Sequence, residues 1–550
     1  MKGIKLAQKL FKRRLKRETE GAIKSLTDAS CRKQKELTKE LANLNKEAST
    51  KILFGRASGE QIVELPVEKI TAHGLTVGAS GAGKSYFALS VMTQLLSHPS
   101  SSPVSWACLD AKGELFERAI RYLYAHLYRL SPGERESLKK RIVIVDFSNA
   151  DLVTPYNILA RQNHLPDEAM VANRIDTISE QFSGLSDMSV RMKMILKYFF
   201  LLMAEFDLPL PSFEKLCADP LLLTSLVEKT QNVQIREYFL HRFDDESKST
   251  LLALRQRIDS LLVSEGVRLS LSASSAPDFA ILQDQSSIIL INTAGPTITR
   301  GVSELLQSLI LSDIKQSVFR RSNPGQNFIW FLDEAQNLYK TAVNREHMAD
   351  LLTMARSFGS FFVLLTQSLT SAVRNQDILN SILANVRWIV MLRSTLRDAE
   401  ILAPSIPLTG TVTKAKHNPF EPVHYLTESE EMKVRLKEIT KLSDRTAYLW
   451  LKAQLNTAVK ITTPQVPLPP EIAGCSKEEF ERFVASERLG LAMTKEEILE
   501  EADRREKRLK ELLWPSAKAN RASGPGAKVR TKEGRRLVKL LEDEYAKKQS

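Results

Sequence analysis

The run Gly78-Ala-Ser-Gly-Ala-Gly-Lys-Ser85 constrains this chain more than any other stretch. It follows a short apolar segment, Leu75-Thr-Val77, and precedes a helix-like run from Tyr86 to Leu96. Strand, glycine-rich turn and helix in that order form a phosphate-binding loop. Glycines let backbone N–H groups turn inward on phosphate oxygens without a Cβ in the way. The following helix adds the positive end of its dipole. The spacing predicts that Gly78, Ala79, Ser80, Gly81, Ala82, Gly83, Lys84 and Ser85 cradle ATP. Lys84 would reach the β- and γ-phosphates, and the Ser85 hydroxyl would take one position on Mg2+.

A second motif, Phe328-Ile-Trp-Phe-Leu-Asp-Glu334, fits the same chemistry. Two carboxylates ending an apolar strand are costly unless a metal or a partner charge meets them. Asp333 is the expected ligand of the metal-bound water, and Glu334 the expected general base for an attacking water.

Seven short apolar runs mark the surrounding fold: Leu75 to Val77, Val104 to Leu109, Ile142 to Val145, Ile288 to Ile291, Phe328 to Leu332, Phe361 to Leu365 and Trp388 to Leu392. They lack polar alternation, so they predict strands covered on both faces. The expected class is α/β, a P-loop NTPase (RecA-like) of mainly parallel sheet with helices on both faces. The helix-rich stretch 165–275 reads as an all-α domain inserted between core parts 51–164 and 276–463. Residues 1–50 read as a basic helical extension and 464–550 as a charged helical tail. Pro464, Pro467, Pro469 and Pro470 predict a stiff linker at the start of that tail. Ser476 with Glu479, and Thr494 with Glu497, predict two capped helices within it.

Charge is concentrated at the ends. Residues 1–50 hold 14 Lys+Arg against 6 Asp+Glu, and residues 516–550 hold 10 against 4, in a chain of net charge +13. The body is therefore close to neutral, while basic ends favour phosphate backbones or anionic lipid. The stripe Ile4, Ala7, Phe11 and Leu15 makes the first helix amphipathic. No apolar run approaches the roughly 18 residues of a membrane span, and the four cysteines match no zinc or redox spacing. The expected location is cytoplasmic, with peripheral membrane contact through the first helix. His417 and His424 share no carboxylate or cysteine set, and Tyr122, Tyr124 and Tyr128 suit packing better than base stacking.

Three further segments carry a resemblance. Asp333-Glu-Ala-Gln-Asn-Leu338, Ala355-Arg-Ser-Phe-Gly359 and Leu364-Leu-Thr-Gln-Ser368 resemble the HerA/FtsK superfamily of ring motors. Within it the likeness is to TraG/TraD-type coupling proteins of conjugation and type IV secretion. Leu109-Asp-Ala-Lys-Gly-Glu114, Thr154-Pro-Tyr-Asn-Ile-Leu159, Asn385 to Arg393 and Asp398-Ala-Glu400 follow in matching order. The chain departs from the pattern in lacking transmembrane helices, and residues 51–66 are short for the β-barrel of HerA-type helicases.

The resemblance implies that Gln367 senses the γ-phosphate and that Arg356 is an arginine finger acting across a ring interface, with Arg387, Arg393 and Arg397 as rivals. It assigns no catalytic step to Asp110 or Lys112. It implies a homo-oligomer, a hexamer, that translocates DNA and meets secretion-system or relaxase-type proteins. Alternatives are a secretion ATPase moving protein, a HerA-like helicase, and a non-enzymatic nucleotide-dependent scaffold. The positioned base at Glu334 argues against the scaffold.

Overall fold

In a computed structural model of the chain, the described residues are 51–57, 61–97, 104–160, 167–182, 188–243, 245–369, 376–403, 425–452, 458–490 and 492–514. The basic extension 1–50, the end of the tail, His417 and His424 lie outside them. The strands are β1 (Lys51–Ala57), β2 (Ile62–Pro66), β3 (Gly74–Val77), β4 (Ser105–Asp110), β5 (Ile142–Asp146), β6 (Leu152–Val153) and β7 (Ile288–Asn292). They continue with β8 (Phe328–Leu332), β9 (Ser360–Thr366), β10 (Trp388–Met391), β11 (Thr446–Leu451), β12 (Val459–Thr462) and β13 (Met493–Thr494).

Eleven strands form one sheet in the order β2-β1-β12-β11-β10-β3-β9-β8-β4-β7-β5. From β10 to β5 every pairing is parallel. From β11 to β2 the sheet continues antiparallel. All seven apolar runs are strands of the parallel part, and this is the α/β fold that their patterning predicts.

Side chains alternate between two cores, as the period of a strand dictates. On β8, Phe328, Trp330 and Leu332 join one cluster while Ile329 and Phe331 join the other. The first core takes in helices Asp167–Phe182, Val190–Glu205, Arg300–Phe319 and Ala342–Met354. The second takes in helices Lys84–Leu96 and Glu114–Arg129. The longest apolar stretch of the sequence lies in helix Val190–Glu205, which buries Phe199, Phe200 and Leu202 in the first core. Among the described residues no helix is long and apolar enough to cross a membrane.

Two expectations need correction. The strands β11 and β12 were not among the predicted ones, and they extend the sheet beyond β10. The proline-rich stretch, expected as a stiff linker, packs against the core. Tyr122 Oη donates to the Pro467 carbonyl, Val466 and Ile472 pack on the second core, and Pro469–Ala473 is a helix. A proline ring buries apolar surface without leaving an N–H unsatisfied, so a packed path suits it. Beyond it, both predicted capping boxes are present. Phe483 packs edge-on against Tyr124 and Tyr128, and β13 pairs with β6.

Between residues 167 and 272 the described elements are all helical. They are tied to the sheet-covering helix Arg300–Phe319 by a buried ion pair. Arg174 Nη2 meets Asp313 Oδ1, Arg174 Nε donates to the Ile158 carbonyl at 2.9 Å, and Tyr156 Oη donates to Asp313 Oδ2. Removing one partner of such a pair leaves an uncompensated buried charge. Asp313→Ala is expected to destabilise the chain by about 3 kcal/mol, read as a lowered midpoint of urea unfolding. Replacing Arg174 and Asp313 together by apolar residues should cost less.

Candidate functional site

The parallel register brings the C-terminal ends of β3, β9, β8 and β4 to one edge of the sheet, and four motifs end there. The phosphate loop follows β3, Gln367 follows β9, Asp333 and Glu334 follow β8, and Asp110 ends β4. Ligands of open parallel sheets bind outside this edge.

The loop is pinned on three sides. Gly78 N donates to the Thr366 carbonyl at 3.2 Å, Ala79 N to the Arg393 carbonyl at 2.7 Å, and Arg445 N to the Ala82 carbonyl at 3.1 Å. A Cβ on Gly78 would stand 2.8 Å from that of Leu392, and Gly83 opens the following helix at φ 109°. Only glycine fits both demands. Lys84 Nζ donates to the Gly78 carbonyl at 2.8 Å and the Ala79 carbonyl at 3.3 Å. Burial pushes the Lys84 ammonium down, Glu334 and Asp333 oppose that shift, and Lys112 adds to it.

The two adjacent carboxyls are shifted in opposite directions. Asp333 is pushed up to about 7, first by burial and then by the neighbouring Asp110 and Glu334 charges. Burial also acts to raise Glu334, but hydrogen bonds from Lys112 and Gln367, the Lys112 charge and Gln336 outweigh it and leave Glu334 lowered. Glu334 sits in the left-handed region at φ 50°, ψ 41°. Its Oε1 accepts from the Lys112 ammonium and from Gln367 Nε2 at 2.6 Å, and its Oε2 accepts from Gln336 Nε2. Gln336 Oε1 in turn accepts from Thr366 Oγ1 at 2.8 Å and Gln367 N at 3.2 Å. Asp110 is fully buried and braces the next turn, accepting from Lys112 N at 2.7 Å and Phe116 N at 2.9 Å.

The structure thus gathers Lys84, Asp333, Glu334 and Gln367, but not Arg356. Arg356 precedes β9 and is exposed at the opposite edge of the sheet. A strand of seven residues at about 3.3 Å each puts roughly 20 Å between that edge and the phosphate loop. Arg387 precedes β10 at the same far edge, and both arginines, after burial, hold His73 down near 4. His73 Nδ1 accepts the Phe362 N–H at 3.0 Å, a packing role. Of the other rivals, Arg393 lies at the loop edge and pairs with Asp444 at 2.8 Å, and Arg397 is exposed on helix Leu396–Leu402. Among the described residues no His, Cys, Asp and Glu cluster could hold a metal by itself.

Three participants were not assigned by sequence. Lys112 and Gln336 stand inside recognisable motifs, so position was a signal for them. Arg445 has none, because its left-handed backbone (φ 63°) and its bond to Ala82 appear only in the fold.

No family model and no curated protein matches the chain. Solved structures are similar in fold. Unbound bacterial conjugative coupling protein TrwBdeltaN70 is 15% identical, with a TM-score of 0.46 over 78% of this chain and 92% of that one. Plasmid coupling protein TrwB in complex with ADP and Mg2+ is 16% identical, with a TM-score of 0.46 over 78% and 93%. VirB4 of Thermoanaerobacter pseudethanolicus is 14% identical, with a TM-score of 0.49 over 77% and 98%. What this site can do follows from its own residues.

The Asp333 shift has a consequence for stability. Its folded pKa stands near 7, above the ordinary 3.8, so the folded chain holds that proton longer than the unfolded chain. Stability is therefore lost as pH rises from about 4 through 7. Asp333→Asn should stabilise the chain, free of nucleotide and divalent metal, by on the order of 2 kcal/mol above pH 7. The gain should shrink towards pH 4 in unfolding titrations, and a gain independent of pH would contradict the buried-carboxyl account.

Proposed function

We propose that the chain is an ATP-hydrolysing ring motor of the coupling-protein type that moves DNA. The observation that carries this reading is the convergence of Lys84, Asp333, Glu334 and Gln367 on one sheet edge, behind a pinned phosphate loop. The residues fit nucleotide with magnesium. Among the described residues the ammonium of Lys84 donates to backbone carbonyls, and Asp333 is a buried carboxyl short of positive charge. Ser85 and Asp333 offer the hard oxygen ligands that magnesium takes. Magnesium, when bound, would neutralise charge between the β- and γ-phosphates.

The chain's own residues do the rest. Loop N–H groups hold the phosphates, and Lys84 leaves its carbonyls to meet the terminal ones. Glu334 accepts the proton of the water that attacks the γ-phosphorus while the bond to ADP breaks. Gln367 lies on the Glu334 side of the site and can donate to a γ-phosphate oxygen, so it can distinguish ATP from ADP. Arg356 is exposed and some 20 Å from its own loop, so it can serve only a neighbouring copy's nucleotide. That position favours an assembly with sites between subunits, which we read as a hexamer. The basic residues of 1–50 and 516–550 would supply the phosphate contacts expected of a DNA partner, and the basic residues of 1–50 would allow peripheral contact with a membrane. Helices of 167–272 are the candidate surface for secretion-system or relaxase-type proteins.

Steady-state ATP hydrolysis with and without single- and double-stranded DNA, across a salt series, tests this reading. Stimulation by DNA that fades as salt rises supports a DNA motor, whereas hydrolysis indifferent to DNA moves the cargo to protein. Lys84→Ala should lose tight ATP binding. Glu334→Gln should bind ATP yet turn it over about a hundredfold or more slowly, and wild-type turnover would remove the base assignment. Arg356→Ala should bind ATP normally and lose about a thousandfold in turnover. Mixing it with Lys84→Ala subunits should restore activity if Arg356 acts in trans.

A further inference from the structure

Glu334 is held by three hydrogen-bond donors, one of them a cation. Both of its oxygens are engaged, Oε1 by the Lys112 ammonium and Gln367, Oε2 by Gln336. Both lone pairs of Oε1 are committed and Oε2 keeps one, while an ammonium on the carboxylate weakens its pull on a proton. The backbone beneath it is left-handed at φ 50°, a conformation that costs a non-glycine residue about 1 kcal/mol and persists where contacts over-determine it.

The clamp and the clamped group differ in access. The Lys112 side chain is 48% exposed while that of Glu334 is 6% exposed. The Lys112 backbone is fixed, since its N–H donates to Asp110 Oδ1 and the Phe116 N–H holds the other Asp110 oxygen. A rigid turn therefore carries a long, solvent-facing arm whose tip rests on the base.

We propose that Lys112 is a positioning residue that holds Glu334 in a resting posture, so that hydrolysis requires this contact to open. The proposal rests on the ATPase reading above. It assigns to Lys112 a restraint on rate, not a contact with the reacting atoms.

The test is steady-state ATP hydrolysis by the full chain and by Lys112→Met and Lys112→Arg, each with and without DNA. Lys112→Met is expected to raise the DNA-free kcat by at least about fivefold with KM unchanged, the pattern of a changed chemical step at constant ground-state binding. Any stimulation by DNA should shrink by the same factor. Lys112→Arg keeps a cation on the carboxylate and should stay at the wild-type rate, which a merely structural role of the lysine stem would not produce. A Lys112→Met kcat at or below wild type, with wild-type hydrolysis intact, overturns the restraint and leaves the ATPase reading standing. A Lys112→Arg rate as high as that of Lys112→Met also overturns it. Hydrolysis by none of the three chains overturns both readings.

Discussion

The site depends on one constraint: a parallel strand buried on both faces can carry charge only at its end. All five residues of β8 are buried, and so are all seven of β9. An ionised side chain within either would face a dry core on one side or the other. The carboxylates of Asp333 and Glu334 therefore begin where the strand stops, and the phosphate loop begins where β3 stops. Parallel register makes those endings coincide, since Leu332 pairs with Leu364 and Val77 with Thr366. The chemistry of the edge is thus a consequence of how the two cores exclude charge from the middle.

Crowding charge at that edge has an electrostatic price, met by dividing the roles of the carboxyls. Asp333 faces Asp110 and Glu334 with little solvent, and its pKa rises. Glu334 escapes the same fate through the donors that surround it. Neighbours in sequence thus occupy opposite electrostatic environments: one is short of a cation, the other already has one in Lys112. The first condition suits a metal ligand and the second a base under restraint.

The parts of this arrangement legible in the sequence are those written locally. The phosphate loop, the Asp333-Glu334 ending and the seven buried strands each lie within a few consecutive residues, where spacing and apolar runs report them. The strands β11 and β12 were not legible, because Thr446–Leu451 and Val459–Thr462 belong to the antiparallel side and mix polar with apolar residues, outside the unbroken apolar runs of the core. The clamp on Glu334 was hidden for a different reason. Lys112 and Glu334 are 222 residues apart in sequence, and only the adjacency of β4 and β8 brings them together. The contact of Arg445 with the phosphate loop is equally non-local, and no residue type around position 445 announces it.

Strand β9 joins the two edges. It starts four residues after Arg356 and ends immediately before Gln367, and its neighbours β3 and β8 lead into the phosphate loop and the acidic pair. Hydrogen-bonded on both sides and buried throughout, it has no hinge at which a displacement could be absorbed. If Gln367 responds to the subunit's own nucleotide while Arg356 serves that of a neighbour, one stiff segment about 20 Å long connects them. A ring built from such subunits would then not need a separate relay to coordinate its sites, because the strand that ends just before Gln367 begins four residues after Arg356.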